Sequence, residues 1–229
     1  MSTDRKGAMR LGKLLAERGV ASRRGAEQLI FDGSVAVNGD LVTHPATMVN
    51  PDVDVVNIDG EPLPDAVDKV YYLLYKPKGC VTTRKDPHGR KTVFDLLQGI
   101  HMKVEPVGRL DFDTEGALIL TNDGEMAFNL THPSKKVPKR YMAKVYRTPT
   151  AKTLKMISDG KVYLEDGPLF GAKVRVVDTT DKTNAWVEIT VTEGRNRLIR
   201  RLFQQLNHPV SKLRRESFAN ISIRELERG

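Results

Sequence analysis

A short stretch rich in proline and acidic residues divides the chain into two unequal parts. Residues 61–68 contain two prolines and three acidic residues with little apolar content, which is typical of an interdomain linker. The chain has 229 residues, enough for one or two domains with cores of their own. We therefore predict a flexible tail over residues 1–8, a small domain over residues 9–68 with its linker at about 61–68, and a larger domain over residues 69–229.

Basic residues are concentrated on both sides of an acidic stretch. Residues 1–24 hold seven Lys or Arg against two acidic residues, residues 25–68 hold nine acidic residues and no Lys or Arg, and residues 69–229 hold thirty Lys or Arg against eighteen acidic residues. The formal net charge is +8. Clustered positive charge favours a polyanionic partner, with nucleic acid as the first interpretation and phosphorylated metabolites or anionic lipid as alternatives.

The composition is typical of a globular chain that works in a reducing compartment. Hydrophobic residues make up 39% and charged residues 29%, and no run of eighteen apolar residues occurs, so no membrane partner is expected. The first eight residues are polar and do not have the pattern of a secretory signal. Cys80 is the single cysteine and has no internal disulfide partner, which makes the cytoplasm the expected location.

Helical spacing marks the start of the small domain. Leu11, Leu14 and Leu15 predict one helix, and Ser22 is placed to cap a second helix that ends near Gly33. The cations of this region concentrate on the two helices: Arg10, Lys13, Arg18, Arg23 and Arg24. Four of them, Arg10, Lys13, Arg23 and Arg24, are candidates for contact with a polyanion.

Alternating apolar residues then predict short strands joined by tight turns. Val35 and Val37 lead to the dipeptide Asn38-Gly39, which favours a hairpin turn. A second alternation, Val53, Val55 and Ile58, leads in the same way to Asp59-Gly60.

The larger domain mixes strands and helices without a regular βαβ order, which predicts an α+β fold on a mixed, largely antiparallel sheet with flanking helices. The predicted strands cover residues 70–75, 117–121, 140–146, 171–177 and 185–192. The predicted helices cover residues 93–97, 124–130, 150–159 and 197–206.

Four stretches of this domain have residue types suited to chemistry or RNA contact. Residues 108–116 read Gly-Arg-Leu-Asp-Phe-Asp-Thr-Glu-Gly and place carboxylates on a loop before a buried strand, although the same pattern fits an ordinary acidic turn. No histidine or cysteine stands nearby in sequence, so we expect no metal there. The other three stretches, residues 84–91, 131–141 and 193–203, are basic, and each could contact phosphates or be a solvated charged surface.

The third basic stretch has the highest density of cations. At helical spacing, Arg197, Arg200 and Arg201 are predicted to share one side of a helix, opposite its leucines. Phosphate-binding glycine loops, dinucleotide fingerprints, paired-cysteine zinc spacings and nucleophile elbows do not occur in the sequence, so no cofactor is expected.

Taken together, these motifs resemble those of the bacterial ribosomal-RNA pseudouridine synthases of the RsuA/RluB family. The resemblance is carried by residues 108–116, by Thr-Asn-Asp-Gly at 121–124, by Lys-Arg-Tyr at 139–141, and by Glu-Gly-Arg-Asn-Arg with Ile-Arg-Arg at 193–201. It implies an S4-like RNA-binding module over residues 9–68 and a synthase domain over residues 69–229. Residues 84–97 are most similar to members that act on large-subunit (23S) rRNA.

The resemblance also implies the reaction and the residues that perform it. Uridine in RNA is isomerised to pseudouridine, without cofactor or metal, by the catalytic carboxylate of Asp111, which acts as a nucleophile on the ribose or as a base that generates a glycal. Arg200 is expected to pair with Asp111, and Tyr141 to stack on the uracil. The implied substrate-binding residues are Ile199 as an apolar wall, Arg109 in the space left by the flipped nucleotide, and Lys139, Arg195 and Arg197 on the RNA strand.

A pseudouridine synthase that acts on 23S rRNA or on a large-subunit assembly intermediate, as a monomer, is therefore the predicted protein. The alternative is a non-catalytic rRNA-binding or ribosome-assembly factor that retains the fold.

Overall fold

The computed structural model describes residues 7–181 and 183–228 and separates them into two compact units. The first unit runs to Lys69 and the second begins at Val70. Residues 1–6, which are most of the predicted tail, lie outside the described residues.

The first unit contains two helices packed beside short strands. Its elements are β1 (Met9–Arg10), α1 (Leu11–Glu17), α2 (Arg23–Phe31), β2 (Val35–Val37), β3 (Asp40–Leu41), β4 (Met48–Val49), β5 (Val56–Ile58) and β6 (Glu61–Pro62). An antiparallel sheet has the order β3-β2-β5-β6, and β1 pairs with β4. The core is formed by Leu11, Leu14, Leu15, Ala26, Ile30, Val35, Val49 and Val56.

Local sequence signals explain the ends of these elements. The Ser22 side chain accepts a hydrogen bond from the backbone N of Gly25, which confirms the predicted cap of α2. Asn38 has φ 53° and Asp59 has φ 50°, each followed by a glycine of positive φ, so both predicted hairpin turns are confirmed.

The predicted alternation before the second turn is wrong by one residue. Val53 is 74% and Val55 is 62% exposed, whereas Val56 is 5% exposed and begins β5. Residues 50–54 instead form a turn, because the Asp54 carboxylate accepts hydrogen bonds from Asn50 N at 2.7 Å and from Asn38 Nδ2 at 2.9 Å.

The beginning of the predicted linker belongs to the first unit. Its first two residues form β6, Leu63 N donates to Val56 O at 2.9 Å, and Arg18 Nη1 donates to Pro64 O at 3.0 Å. Pro62 therefore lies on an edge strand of the sheet, where a missing backbone donor is tolerated.

The second unit is built around one mixed sheet. Its strands are β7 (Tyr71–Lys76), β8 (Glu105–Pro106), β9 (Thr114–Thr121), β10 (Lys139–Tyr146), β11 (Tyr163–Leu164), β12 (Gly167–Pro168), β13 (Lys173–Asp181), β14 (Asn184–Val191), β15 (Val210–Phe218) and β16 (Ile221–Ser222). Its helices are α3 (Gly124–Thr131), α4 (Ala151–Ser158) and α5 (Leu198–Gln205), with single 3-10 turns at Phe94–Leu96 and Pro133–Lys135.

The strand order of this sheet is β13-β14-β10-β15-β9-β7, with β8 paired to β9 and β16 to β15. Neighbouring strands run antiparallel except β15 and β9, which are parallel, so the predicted α+β fold with a mixed, largely antiparallel sheet is confirmed. The sequence analysis did not predict β15, which lies in the middle of the sheet. The predicted helix over residues 93–97 is reduced to a 3-10 turn.

A glycine allows β9 and β15 to approach. Gly116 has φ +120°, and a Cβ atom at this position would lie 2.2 Å from the backbone O of Arg215. Every side chain is therefore excluded at this position. Among the helices of the part of the chain that the structure describes, none has the length and apolar character needed to span a membrane.

Candidate active site

A cleft of about 670 Å³ opens in the second unit. Its lining comes from the loops at residues 81–90 and 108–114, from β10, β14 and β15, and from residues 193–199 at the start of α5. It brings together seven of the predicted site residues: Arg109, Asp111, Lys139, Tyr141, Arg195, Arg197 and Ile199.

Asp111 lies in a tight turn immediately before β9. Thr114 N donates to Asp111 O at 3.0 Å, which closes the turn, and 31% of the Asp111 side chain is exposed. The preceding Leu110 is buried, and its backbone O accepts a hydrogen bond from Thr82 Oγ1 at 2.8 Å. The carboxylate is thus carried by a turn anchored at both ends and reaches the cleft half-buried.

A buried lysine is hydrogen-bonded to the backbone of this turn. The side chain of Lys76, at the end of β7, is fully buried, and its Nζ donates to the backbone O of Pro77 at 3.0 Å, of Asp111 at 3.0 Å and of Thr114 at 2.9 Å. Burial lowers the pKa of Lys76, and nearby negative groups, including the Asp111 carboxylate, act in the opposite direction. Three carbonyl acceptors match the three donors of an ammonium group.

The predicted ion pair between Asp111 and Arg200 is wrong. Arg197 Nη1 lies 3.5 Å from Oδ2 of Asp111 and 3.3 Å from Oδ1 of Asp113. Arg200 Nη2 instead lies 3.1 Å from Oδ2 of Asp113 and donates to its backbone O at 3.0 Å. Arg197 is therefore the direct cationic partner of Asp111, and Arg200 acts on the same turn through Asp113.

The helix geometry explains this exchange of partners. Arg197 precedes α5 with φ 46°, in the left-handed region, while Arg200 lies in the first turn of the helix. Arg200 Nη1 also donates to Val210 O at 3.2 Å, so its guanidinium joins the start of β15 to the residue before β9. Burial lowers the pKa of Arg200, and the Asp113 carboxylate opposes that effect.

The predicted common side for the three arginines of this helix is also wrong. Arg201 Nη2 lies 2.7 Å from Oδ2 of Asp166, and its Nε donates to Asn196 O at 2.8 Å. Successive helical residues point about 100° apart, so Arg200 and Arg201 separate.

Arg195 lines the cleft, but its donors are engaged within the protein. Its Nε lies 2.6 Å from Oε2 of Glu193, its Nη1 lies 2.9 Å from Oδ1 of Asp166, and its remaining bonds go to the backbone O of Gly167 and Pro168. The guanidinium thus fastens the loop before α5 to the β11–β12 hairpin, and the contact of Arg195 with RNA stays a prediction.

Apolar side chains form the wall between these charged groups. Ile199 is 4% exposed and belongs to the core cluster that contains α5. Tyr141, in β10, is half-buried and packs against that cluster and against the cluster around Leu110. A ring held between two cores is a rigid surface for stacking.

The basic loop beside the cleft is ordered by one carboxylate. Asp86 accepts hydrogen bonds from the backbone N of His88 and Arg90, and its Oδ1 lies 2.7 Å from Arg90 Nη2. These hydrogen bonds, led by the Arg90 side chain, lower the pKa of Asp86. Arg84 is held by Glu105 and by the ring of Phe94, 4.5 Å away.

Acidic and histidine side chains do not gather into a metal site. Within residues 7–181 and 183–228, no three His, Cys, Asp or Glu residues are grouped so that they could hold a metal ion.

The predicted RNA-binding cations of the first unit lie at its surface. Arg10, Arg23 and Arg24 are exposed, and Lys13 is half-exposed with its Nζ 3.5 Å from Oε1 of Glu17. Surface pairs of this kind contribute little to stability, so these cations remain available for contact.

Comparison with known families identifies the two units. The family model for RNA pseudouridylate synthases matches residues 70–205, and the S4 domain model matches residues 9–55. The chain belongs to the RNA pseudouridylate synthase family. The family predicted from the motifs is confirmed.

Relatives match this pseudouridine synthase over almost its full length. The ribosomal large subunit pseudouridine synthase B of Bacillus subtilis (strain 168) is 41% identical over 221 residues, which cover 96% of this chain and 89% of that protein. An uncharacterized RNA pseudouridine synthase of Aquifex aeolicus (strain VF5) is 44% identical over 223 residues, covering 96% of this chain and 88% of that protein. The crystal structure of a pseudouridylate synthase has a TM-score of 0.63 at 27% identity and covers 93% of this chain and 90% of that chain.

The sequence analysis of this synthase missed two buried cations near the cleft. Lys76 directly follows the predicted strand over residues 70–75, and no sequence pattern indicates its burial, because lysines are rarely buried. Arg215, on the unpredicted strand β15, is 2% exposed and lines the cleft.

Proposed function

We propose that this synthase isomerises uridine to pseudouridine in ribosomal RNA of the large subunit, with Asp111 as the catalytic carboxylate. The proposal is supported by its similarity to the Bacillus subtilis enzyme and by one observation that carries it: Asp111 and Tyr141 line the same cleft. The cleft volume of about 670 Å³ is suited to an everted nucleotide.

Asp111 has two chemical roles open to it. As a nucleophile it attacks the ribose carbon that carries the base; as a base it removes a ribose proton so that a glycal forms. In both, the bond from sugar to base nitrogen breaks, the uracil turns, and a base carbon bonds to the sugar. At that point the carboxylate leaves the ribose carbon in the first route, and returns the ribose proton in the second. The base carbon loses its proton, and the freed base nitrogen takes one up. Both roles use the carboxylate as an anion, and the Arg197 guanidinium lies 3.5 Å from it.

The other predicted residues are given roles that suit their positions. Tyr141 stacks on the uracil and helps remove the carbon-bound proton, and Ile199 excludes water from the site. Arg109 is exposed at the cleft and takes the space that the flipped nucleotide leaves. The exposed cations of the first unit, Arg10, Lys13, Arg23 and Arg24, hold a structured rRNA element.

We also propose that the synthase acts as a monomer in the cytoplasm. Its cysteine, Cys80, is buried and free, as is usual for a protein of a reducing compartment. Sedimentation of the RNA complex at one protein per RNA is the expected result; two copies per RNA would overturn it.

Mapping of pseudouridine in rRNA tests the catalytic proposal. Wild type and Asp111→Asn are incubated with 23S rRNA fragments, and carbodiimide-dependent reverse-transcription stops are recorded. A new stop is expected with wild type and none with Asp111→Asn, which should retain RNA binding. If wild type gives no stop on any rRNA but binds it, the protein is instead a binding or assembly factor.

A further inference from the structure

Two buried cations stand side by side in the wall of the cleft. Lys139, in β10, is 8% exposed, and Arg215, in β15, is 2% exposed; both line the cleft. The Nζ of Lys139 lies 5.1 Å and the Cζ of Arg215 lies 4.8 Å from the centre of the Phe218 ring. Both cations thus lie close to the same aromatic ring.

Hydrogen bonding leaves this pair incompletely satisfied. Lys139 Nζ donates to Val137 O at 3.0 Å, and Arg215 Nε donates to Ala117 O at 2.7 Å. The Nη2 of Arg215 is buried without a hydrogen-bond partner. Among the described residues, no carboxylate forms an ion pair with either cation. Burial lowers the pKa of Lys139, and the nearby charge of Arg215 lowers it further.

This arrangement differs from the rest of the site. Buried charges are normally paired, and a ring face compensates only part of the desolvation of a cation. Lys76 has a carbonyl acceptor for each of its three donors, and Arg195 and Arg200 have carboxylate partners. Lys139 and Arg215 have one carbonyl acceptor each. A pair of cations kept buried without an anion is the arrangement expected of a preorganised anion site.

The sheet register places this pair beside the catalytic tyrosine. Arg215 lies directly opposite Tyr141 on the neighbouring strand, and Lys139 is two residues before Tyr141 on the same strand. Side chains in these positions share one face of the sheet. The anion would therefore lie next to the base that Tyr141 holds.

We propose that Lys139 and Arg215 together bind one backbone phosphate of the substrate RNA adjacent to the everted uridine. The proposal rests on the proposed function, because only an RNA substrate brings a phosphodiester to this place. A guanidinium and an ammonium are matched to a phosphodiester in charge and in hydrogen-bond donors.

Thermal unfolding with inorganic phosphate gives the first test. At matched ionic strength in chloride, phosphate is expected to raise the Tm of wild type by about 3 °C or more and to raise that of Arg215→Met or Lys139→Met much less. Without phosphate, both variants are expected to have a Tm equal to or above that of wild type, since each removes an unpaired buried charge. Lys212→Met, an exposed cation on the same strand, is the matched control and should respond to phosphate as wild type does.

RNA binding gives the second test and separates this proposal from catalysis. Affinity is measured in the Asp111→Asn background, so that no turnover is needed, on an rRNA fragment over a range of salt. Arg215→Met is expected to weaken RNA binding about tenfold and to reduce the slope of log affinity against log salt concentration by about 0.7 in magnitude. Arg215→Lys, which keeps the positive charge, should keep part of the affinity and part of the slope. The phosphate site would be overturned if folded Arg215→Met bound RNA with the affinity and salt-dependence slope of wild type. It would also be overturned if phosphate raised the Tm of Arg215→Met as much as that of wild type. Wild-type protein that binds the fragment but forms no pseudouridine in it would instead contradict the proposed function.

Discussion

Asp113 connects the two arginines of the site, and its pair with Arg200 can be measured. Arg200 is 12% exposed at its side chain and contacts Asp113 at 3.1 Å. In a double-mutant cycle of Arg200→Met and Asp113→Asn, we expect a coupling of about 1 kcal/mol in the free energy of unfolding, measured by urea denaturation. The matched cycle of Arg200→Met and Asp111→Asn should give a smaller coupling. A larger coupling would support the pair of Arg200 with Asp111 that the sequence analysis predicted.

The same variant has a kinetic consequence. Because Arg200 fixes the turn that carries Asp111 rather than an RNA phosphate, Arg200→Met should reduce single-turnover pseudouridine formation far more than RNA affinity. Filter binding paired with single-turnover rates decides the matter. Equal losses in both quantities would make Arg200 a phosphate contact.

Lys76 is expected to be a positioning residue for the catalytic turn. Its replacement by Met leaves three backbone carbonyls near Pro77, Asp111 and Thr114 without their donor. We expect Lys76→Met to lose about 2–4 kcal/mol of unfolding free energy and most of its turnover, measured by denaturation and by single-turnover assay. An unchanged turnover rate would contradict the positioning role.

The pH dependence of stability checks the same residue independently. Burial lowers the pKa of Lys76 below 10.5, so in the window just below that value the unfolded chain binds the proton more tightly than the folded chain. The unfolding free energy of wild type minus that of Lys76→Met should therefore rise with pH through this window. A difference that stays constant or falls there would mean that the lysine is not desolvated.

Sequence could identify Asp111 and Tyr141 but not the contacts that position them. Motifs fix residue types along the chain, whereas the partner of a guanidinium depends on a left-handed residue before α5 and on where β15 begins. Arg195 illustrates the limit: one of its four acceptors is Glu193, two residues away, and the other three lie 27 to 29 residues away, so no local pattern predicts them.

At the scale of elements, the contact of β9 with β15 depends on Gly116. Gly116→Ala would place a Cβ atom 2.2 Å from the Arg215 backbone and is expected to destabilise the second unit by at least about 3 kcal/mol. Gly194→Ala is the matched control, because no atom lies within 4 Å of its Cβ position. Chemical denaturation of both variants measures the difference, and equal stabilities would mean that the strands can separate without loss.

Strand β15 also shows why part of the fold could not be predicted. Its sequence, Val-Ser-Lys-Leu-Arg-Arg-Glu-Ser-Phe, has the composition of a solvated charged segment, yet Leu213, Arg215 and Phe218 are buried. A buried arginine breaks the apolar alternation by which strands are predicted. By contrast, β10 and β14 keep a clear alternation and were predicted within two residues of their observed ends.

At the scale of the whole molecule, the two units have separate cores. The apolar cluster of the first unit draws its members from Met9 to Leu63, and those of the second unit begin at Val70. We expect the fragment from Val70 onward to fold alone with a cooperative thermal transition, while its affinity for rRNA at physiological salt falls because the exposed cations of the first unit are gone. Circular dichroism and filter binding measure the two effects; collapse of the fragment would contradict the division at Lys69.

Because β15 lies in the middle of the sheet, the sheet of this enzyme can be completed only after β15 has been synthesised. The strand joins β13, β14 and β10 on one side to β9 and β7 on the other, yet it is among the last long elements in the chain. A nascent chain that has been translated as far as residue 209 holds both halves of the sheet but lacks the strand that pairs with each of them. The turn bearing Asp111 and the strand bearing Tyr141 can therefore meet only late in synthesis, and the exposed strand edges until then are surfaces that a chaperone would have to shield.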